Sequence, residues 1–332
     1  MIPNQWYPLL ESRQIPRHRP IGVTRMGEKM VFWRDEQGKA ACAVDLCPHR
    51  GVALSAGKVQ GDCIQCPFHG FEFDPSGRCT LIPANGRSAE VPKAFNVRAY
   101  PVREAHGLVY VWWGAPQAEY PPLPEFDFMR DGRYVYTTFV DHWKTHYSRA
   151  IENQLDVVHL PFVHANSIGR GNKTVINGPR YTVTEFAGGH DRIDLWYDGE
   201  VERGQKPLRA SEMPLADTRP QIQFRFPNIW HNWLGDLHLF IAFVPVDGEN
   251  TLLYLRTYHT VKAPVLRQVF ELAGNLGNLY IERQDRRVVL TQRPLRSQLR
   301  MGEKMIAGDG PIIEYRRRRE ALIEAGENKK IN

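Results

Sequence analysis

Two stretches of the 332-residue sequence carry side chains able to hold metal. In the first, Cys47-Pro48-His49 sets an imidazole two positions after a thiol, and Cys66-Pro67-Phe68-His69 sets one three positions after a second thiol. Sixteen residues separate the pairs. Each pair suits a tight loop, because a proline follows each cysteine and Gly51 and Gly70 come close behind. The second stretch runs from Glu152 to His164. There Asn153, Asp156 and His159 recur every three residues, which predicts one helical face. His164 follows five residues after His159, and Pro161 between them interrupts the helix, so both imidazoles can converge on one ion.

Two thiolates and two imidazoles can share one centre. Zinc modules pair like with like, Cys with Cys and His with His. A cysteine and a histidine on each loop suits instead a [2Fe–2S] cluster with thiolates on one iron and imidazoles on the other. Such ligation raises the reduction potential above that of an all-cysteine cluster. Cys63 and Cys66 form a rival Cys-x-x-Cys unit, but it leaves Cys47 and His49 without a role. Cys63 is therefore read as structural, with Cys42 and Cys79. In the second stretch, two histidines need one carboxylate to form the open facial triad of non-haem Fe(II) sites. That carboxylate must come from elsewhere in the chain. His142 and His146 form an i, i+4 pair with no glutamate at the catalytic offset, and are read as structural.

The elements that must position these groups change character along the chain. Residues 5–115 alternate short apolar runs (Val31-Phe32-Trp33, Leu108 to Trp113) with Gly, Pro and Asp turns, as in a small β-sandwich or barrel. Tyr120-Pro121-Pro122-Leu123-Pro124 can continue neither strand nor helix and reads as a linker. The expected domains are 1–118 and 119–332. In the second, Tyr134 to Val140 reads as a strand and 143–158 as a helix. Strand-like runs follow at 181–186, 193–197, 221–226, 237–243 and 251–258, then helical spacing over 265–300. That order is α+β. Phe224, Phe226, Trp230, His231, Trp233, His238 and Phe240 are read as filling the core between sheet and helices, with a cavity lining as the alternative.

Composition narrows the classes. The chain is 42% apolar and 24% charged, as in an ordinary globular protein. No apolar run approaches the roughly 18–20 residues of a membrane span. The first residues, Met1 to Trp6, have neither a basic nor an apolar region, so no secretory signal is expected, and the location expected is cytoplasmic. Five cysteines in that setting predict no disulfide framework. Net charge is +6, and its one dense run is Arg316 to Arg319, with Lys329 and Lys330 beyond. Ile312, Ile313, Tyr315, Leu322 and Ile323 interleave with it, so a solvated face of a C-terminal helix is expected rather than a nucleic-acid site. A basic surface can also receive an acidic redox partner.

The segments Cys47 to Gly51 and Cys66 to Gly70, with the lead-ins Trp6-Tyr7-Pro8 and Val31 to Arg34, resemble the Rieske domain of Rieske non-haem iron oxygenases. Residues 153–164 resemble the Asn-x-x-Asp-x-x-His-x4-His motif of the oxygenase (alpha) subunits, and the spacing and length resemble their monooxygenase and demethylase branch. The resemblance implies an all-β Rieske domain followed by a helix-grip (START-like) catalytic domain. It implies a [2Fe–2S] cluster on Cys47, His49, Cys66 and His69, and Fe(II) on His159, His164 and a carboxylate from a late helix, which leaves Glu271, Glu282 and Asp285 as the candidates. Asp285 fits that last place, since it precedes Gln292 by seven residues as in the family's stretch. Asp156 would bridge His159 to His69 of a neighbouring chain in a homotrimer, and Asn153 would stand near the iron without ligating it. The implied activity is that of a terminal oxygenase. Electrons from NAD(P)H arrive through a separate reductase or ferredoxin, O₂ is the co-substrate, and a ring-containing or apolar small molecule is hydroxylated or demethylated. An electron carrier or redox sensor with an inactive second domain is the alternative; it has no need of the full Asn153, Asp156, His159, His164 and Asp285 set.

Overall fold

Strand-forming runs broken by glycine and proline fold the first part of the chain into three small antiparallel sheets. In this computed structural model, which describes residues 1–186, 188–213 and 219–328, the chain divides into two compact units, Trp6–Glu119 and Met1–Gln5 with Tyr120–Asn332. The strands of the first unit are β1 (Gln5–Glu11, whose first residue falls in the other unit), β2 (Ile21–Arg25), β3 (Glu28–Arg34), β4 (Ala40–Val44), β5 (Lys58–Gln60), β6 (Cys63–Gln65), β7 (Glu72–Phe73), β8 (Cys79–Leu81), β9 (Ala99–Tyr100), β10 (Val102–Ala105) and β11 (Leu108–Trp113). They are ordered β1-β11-β10, β2-β3-β4-β9 and β5-β6-β7-β8. Val31, Trp33, Leu54, Ile64, Phe71 and Phe73 form a core that also takes in Cys47 and Cys66. All five cysteines are free thiols, as expected.

The second unit is one antiparallel sheet with helices on one face. Its strands are β12 (Val135–Trp143), β13 (Val175–Thr184), β14 (Arg192–Glu200), β15 (Ile222–Arg225), β16 (Ile229–Leu234), β17 (Leu237–Pro245) and β18 (Thr251–His259), in the order β12-β18-β17-β16-β15-β14-β13. The helices are α1 (Tyr147–Leu155), α2 (Leu160–Val163), α3 (Pro264–Val289) and α4 (Gly310–Asn328). Alternation sorts the strand residues. Phe224, Trp230, Ile241 and Leu255 are register partners across four strands and face the helices, where they join Trp143, Tyr147, Ile151, Leu155, Ile312 and Tyr315 in the main core.

The period of 2 corrects the aromatic–histidine reading. His231 is paired with Phe240, one residue out of phase with Trp230, and so lies on the opposite face with His238. There Phe128, from the segment before β12, covers both imidazoles at ring-centroid distances of 4.5 and 4.2 Å. These residues line no helix-side cavity. The strand Ile229–Leu234 itself was not expected from the sequence.

Helix boundaries also shift. The expected helix over 143–158 starts only at Tyr147, because Asp141 to Trp143 are claimed by pairing with Thr251 to Leu253. His146 caps it by accepting the Ser148 N–H. It ends at Leu155, where Asp156 turns to extended backbone. Helix α3 stops at Val289, not near 300, and Pro294 lies just beyond.

The arginine run is corrected as well. Arg316 and Arg319 are only 5% and 4% exposed. Arg316 donates to both oxygens of the buried Glu152 on α1, at 2.7 and 2.9 Å, and to Glu303. The partner that permits burial lies 164 residues away, so no local pattern announces it. Arg317 is exposed and pairs with Glu314. Lys329 and Lys330 lie outside the described residues. No helix is long and apolar enough to cross a membrane, among the described residues.

Candidate metal centres

The two Cys/His loops of the first unit are built alike. The Cys47 N–H donates to Val52 O and Cys47 O accepts from Gly51 N, at 2.8 and 2.9 Å. The Cys66 N–H donates to Phe71 O and Cys66 O accepts from Gly70 N, at 2.8 and 3.1 Å. Gly51 and Gly70 take φ of +70° and +72°, the left-handed turn that L side chains rarely adopt. Each loop thus points a buried thiol inward and an exposed imidazole outward. The His49 and His69 rings meet edge-on at 4.5 Å, and His49 stacks flat on Phe71. Burial raises the Cys47 thiol, the backbone N–H groups of His49 and Arg50 pull it down, and the neighbouring Cys66 raises it again. A buried thiol raised in this way beside a second one suits a cation between them. Cys63 stands apart, 3.6 Å from the Thr80 hydroxyl. Cys42 is buried, and Cys79 is pushed up to about 11, chiefly by burial.

In the second unit His159, His164 and Asp285 present three ligand atoms within 4.8 Å of one another. Asp285 Oδ1 lies 3.4 Å from His159 Nε2 and 3.0 Å from His164 Nε2. It is a buried oxygen with no well-aligned hydrogen bond, the signature of a position that suits a cation. Burial favours neutral forms. Yet Asp156 and Asp285 hold His159 up at about 9, and the two imidazoles hold Asp285 below the usual carboxylate range. A dication would take over the role that a proton has here. Asp285 comes from the last turns of α3 and is 2% exposed, so it is no surface ion pair with the nearby arginines; Arg286 pairs instead with Asp141.

The other carboxylates do not converge on the triad. Glu282 is buried and held well above its ordinary value, by burial first and then by Asp285 and Asp141. Glu271 pairs with Arg267 near His259. His142 is bonded to Asn250, and His146 serves as the α1 cap.

Around the triad the sequence expectation needs one correction. Asp156 and His159 do not share a helix. Asp156 Oδ1 accepts the N–H groups of Val158 and His159, at 2.7 and 3.2 Å, in a turn that brings His159 back beside the carboxylate. The His159 Nδ1–Asp156 Oδ1 distance is 3.7 Å. Pro161 sits in the first turn of α2 and opens that helix rather than breaking one. Asn153, Asp156 and His159 line a groove of about 370 Å³ with Gln292, Glu303 and Met305. Trp230 Nε1 donates to Gln154 O and ties β16 to α1 behind it. Sequence reasoning did not single out Gln284 or Ser167. Gln284 Oε1 meets His164 Nδ1 at 2.7 Å and accepts from Ser167 Oγ at 2.8 Å. Only its place beside Asp285 could have drawn notice.

Comparison with known proteins identifies the family. Residues 5–101 match the Rieske [2Fe-2S] domain, and residues 143–325, more than half of the chain, match the vanillate O-demethylase oxygenase C-terminal domain. The chain belongs to the Rieske oxygenase family that these two domains define. It is 36% identical over 257 residues to chlorophyllide a oxygenase of Chlamydomonas reinhardtii, a match spanning 76% of this chain and 37% of that one. It is 32% identical over 164 residues to the oxygenase component of dicamba O-demethylase of Stenotrophomonas maltophilia, spanning 49% and 48%. The chain thus spans roughly a third to a half of the length of the curated relatives it matches. Its fold is shared with NdmA of Pseudomonas putida CBB5 with caffeine, at a TM-score of 0.76, 22% identity and coverage of 98% and 92%. The fold also matches dicamba monooxygenase bound to 3,6-dichlorosalicylic acid, at 0.73, 20% and 98% of each chain. The α+β order, with a β-rich Rieske domain ahead of a large antiparallel sheet, is the one expected.

Proposed function

We propose that this chain is the terminal component of a Rieske oxygenase system, acting on a ring-containing or apolar small molecule. One observation carries the reading: a His159, His164 and Asp285 triad, with His164 and Asp285 buried and His159 half-buried, follows a Rieske domain in the same chain. Cys47, His49, Cys66 and His69 would hold the [2Fe–2S] cluster, and the triad would hold Fe(II) with positions left open. When bound, the two centres would supply the two electrons that, with two protons, reduce O₂, so that one oxygen atom would enter the substrate and the other would leave as water; in demethylation the hydroxylated methyl group would then depart as formaldehyde. NAD(P)H supplies the electrons through a separate reductase or ferredoxin. A hydroxylase or demethylase is favoured over a ring dioxygenase, in keeping with the demethylase-type C-terminal domain.

The chain's own residues have distinct tasks. Asp285 would balance part of the charge of a bound ion, and both imidazoles already turn Nε2 toward its Oδ1. Gln284 orients His164. Asn153 stands in the groove beside His159. Asp156 would accept an N–H from His159 and another from a neighbouring copy's His69 in a homotrimer, and the protein would work in the cytoplasm. The test is Asp156→Asn, which keeps Oδ1 for its turn but loses charge and one acceptor site. Both centres should stay occupied and the trimer intact by light scattering. Single-turnover reoxidation of the reduced cluster by O₂ with substrate should slow at least a hundredfold. Reoxidation at the wild-type rate, or a fully active monomer, would refute the bridge.

A further inference from the structure

Between α4 and the loop that precedes it lies a cavity of about 630 Å³, bordered by Arg296, Arg300, Arg316, Arg319, Glu320 and Glu324. Arg316 is already matched by Glu152 and Glu303. Arg319 is not matched. Only 4% exposed, it has no carboxylate within ion-pairing distance among the described residues. Its Nη1 donates to Ser297 O at 2.8 Å, its guanidinium lies 5.6 Å from the Tyr147 ring centroid, and its Nε finds no acceptor. A buried cation without a counter-charge is unstable unless something supplies one.

The groups around it share this condition. The hydroxyls of Ser297, Tyr147 and Tyr315 are buried without hydrogen-bond partners. Tyr315 stands one turn before Arg319 on α4, and Tyr147 is the first residue of α1. Ser297 is fixed there by its N–H to Ser148 Oγ at 3.1 Å. The local field is positive: His146 is pushed down to about 2, by burial first and then by Arg319 and Arg296. At the cavity wall the Ser297 hydroxyl and the Arg319 Nε–H lack a partner, and the Arg319 guanidinium has no anion in contact, whereas Tyr147 and Tyr315 lie behind Arg319 and do not border the cavity. A single small oxyanion answers the needs of Ser297 and Arg319.

We propose that this cavity binds an oxyanion, free or carried as the phosphate or carboxylate of a larger metabolite, with Arg319 as the buried anchor and Arg296 and Arg300 at the rim. Glu320 and Glu324 border the same cavity and oppose an anion, so binding there depends on the arginines outweighing them. The site is separate from the metal groove, although Arg316 borders both. The test is calorimetric titration of the purified, metal-loaded protein with sodium phosphate against sodium chloride at equal ionic strength. Acetate and phenyl phosphate serve as competing arms that distinguish a carboxylate from a phosphate and a free anion from an esterified one. Saturable phosphate binding at millimolar or lower concentration is expected, with a rise in melting temperature that chloride does not give. Arg296→Ala with Arg300→Ala alters only exposed side chains and should weaken binding at least tenfold. Arg319→Lys, which keeps the charge but loses the planar fork, should weaken it as well. Identical behaviour in phosphate and chloride would overturn the proposal, as would undiminished binding in both variants. A cavity already filled by an acidic side chain of a neighbouring copy would give the first of these results.

Discussion

The two candidate centres solve the same problem by opposite means. The Cys/His centre is local: four groups within 23 residues, on twin loops whose backbone bonds shape each loop separately. Its thiols are buried and its imidazoles exposed, as suits a group that passes electrons to something outside. The His/His/Asp centre is assembled over distance, with Asp285 reaching the histidines from 121 and 126 residues away. Here one imidazole and the carboxylate are almost fully enclosed. Chemistry that must exclude water is put under helices, and chemistry that must hand over charge is put on loop tips. A loop can be specified by its own glycines. An enclosed triad needs a whole sheet and two helices to agree.

Reciprocal metal loss is the sharpest way to break this comparison. His159→Ala should remove the mononuclear iron and all turnover while leaving the visible absorption of the cluster; Cys66→Ser should abolish that absorption. A His159→Ala protein with full activity, or a colourless wild type carrying zinc, would show that the two centres have been misassigned. Asp285→Ala tests the distant ligand separately, and wild-type mononuclear iron in that variant would move the assignment to another carboxylate.

A smaller effect sharpens it. Gln284→Leu removes the acceptor facing His164 Nδ1. Affinity for mononuclear iron should fall on the order of 10–100-fold, with the cluster unchanged. Iron titration of the metal-stripped protein gives the number, and an unchanged affinity would reduce Gln284 to packing.

The mildest difference concerns acid. Burial, the first cause in each case, pushes His146 down to about 2 and His190 and His238 to about 4, while no histidine of the first unit is buried among the described residues. The folded second unit keeps these rings neutral, whereas an unfolded chain takes up protons near 6.5. The unfolded state therefore binds more protons as pH falls below 6.5, and stability drops. The loss is about 1.4 kcal/mol per pH unit for His146 alone, until its folded value is reached. Denaturant unfolding from pH 7 to 5, followed by tryptophan fluorescence, should show the decline, and His146→Gln should lessen its slope. A flat profile would refute the neutral assignment.

These contrasts also mark what the sequence made legible. The cluster loops were readable because the signal and the structure have the same range: cysteine, proline, histidine and glycine within a few residues. The α+β order was readable from periodicity. The His159/His164 pair was visible, but its backbone was misjudged, since a helical period of three cannot be told from a helix end followed by an Asx turn at Asp156. Arg316 and Arg319 were misplaced for a deeper reason. Hydropathy assigns an arginine to solvent; for Arg316 the partner Glu152 is invisible until α4 lies on α1, and Arg319 is buried with only the Ser297 carbonyl to receive its Nη1, which no local pattern announces. His231 and His238 failed on parity: one residue of register carries a side chain to the other face of the sheet.

The Asp156 turn has a mechanical consequence. With Oδ1 held by two backbone N–H groups, the carboxylate behaves as an extension of the main chain, and its free oxygen keeps a fixed bearing. An approaching partner does not have to wait for a rotamer or freeze one, so the entropy of ordering that side chain was spent when the chain folded. A glutamate at this position would offer the same charge and the same second oxygen on a longer stem, but could not close the turn. Reach would be gained and aim lost. A contact made through this carboxylate would be tuned by stiffness, a property that neither the charge nor the identity of the residue expresses by itself.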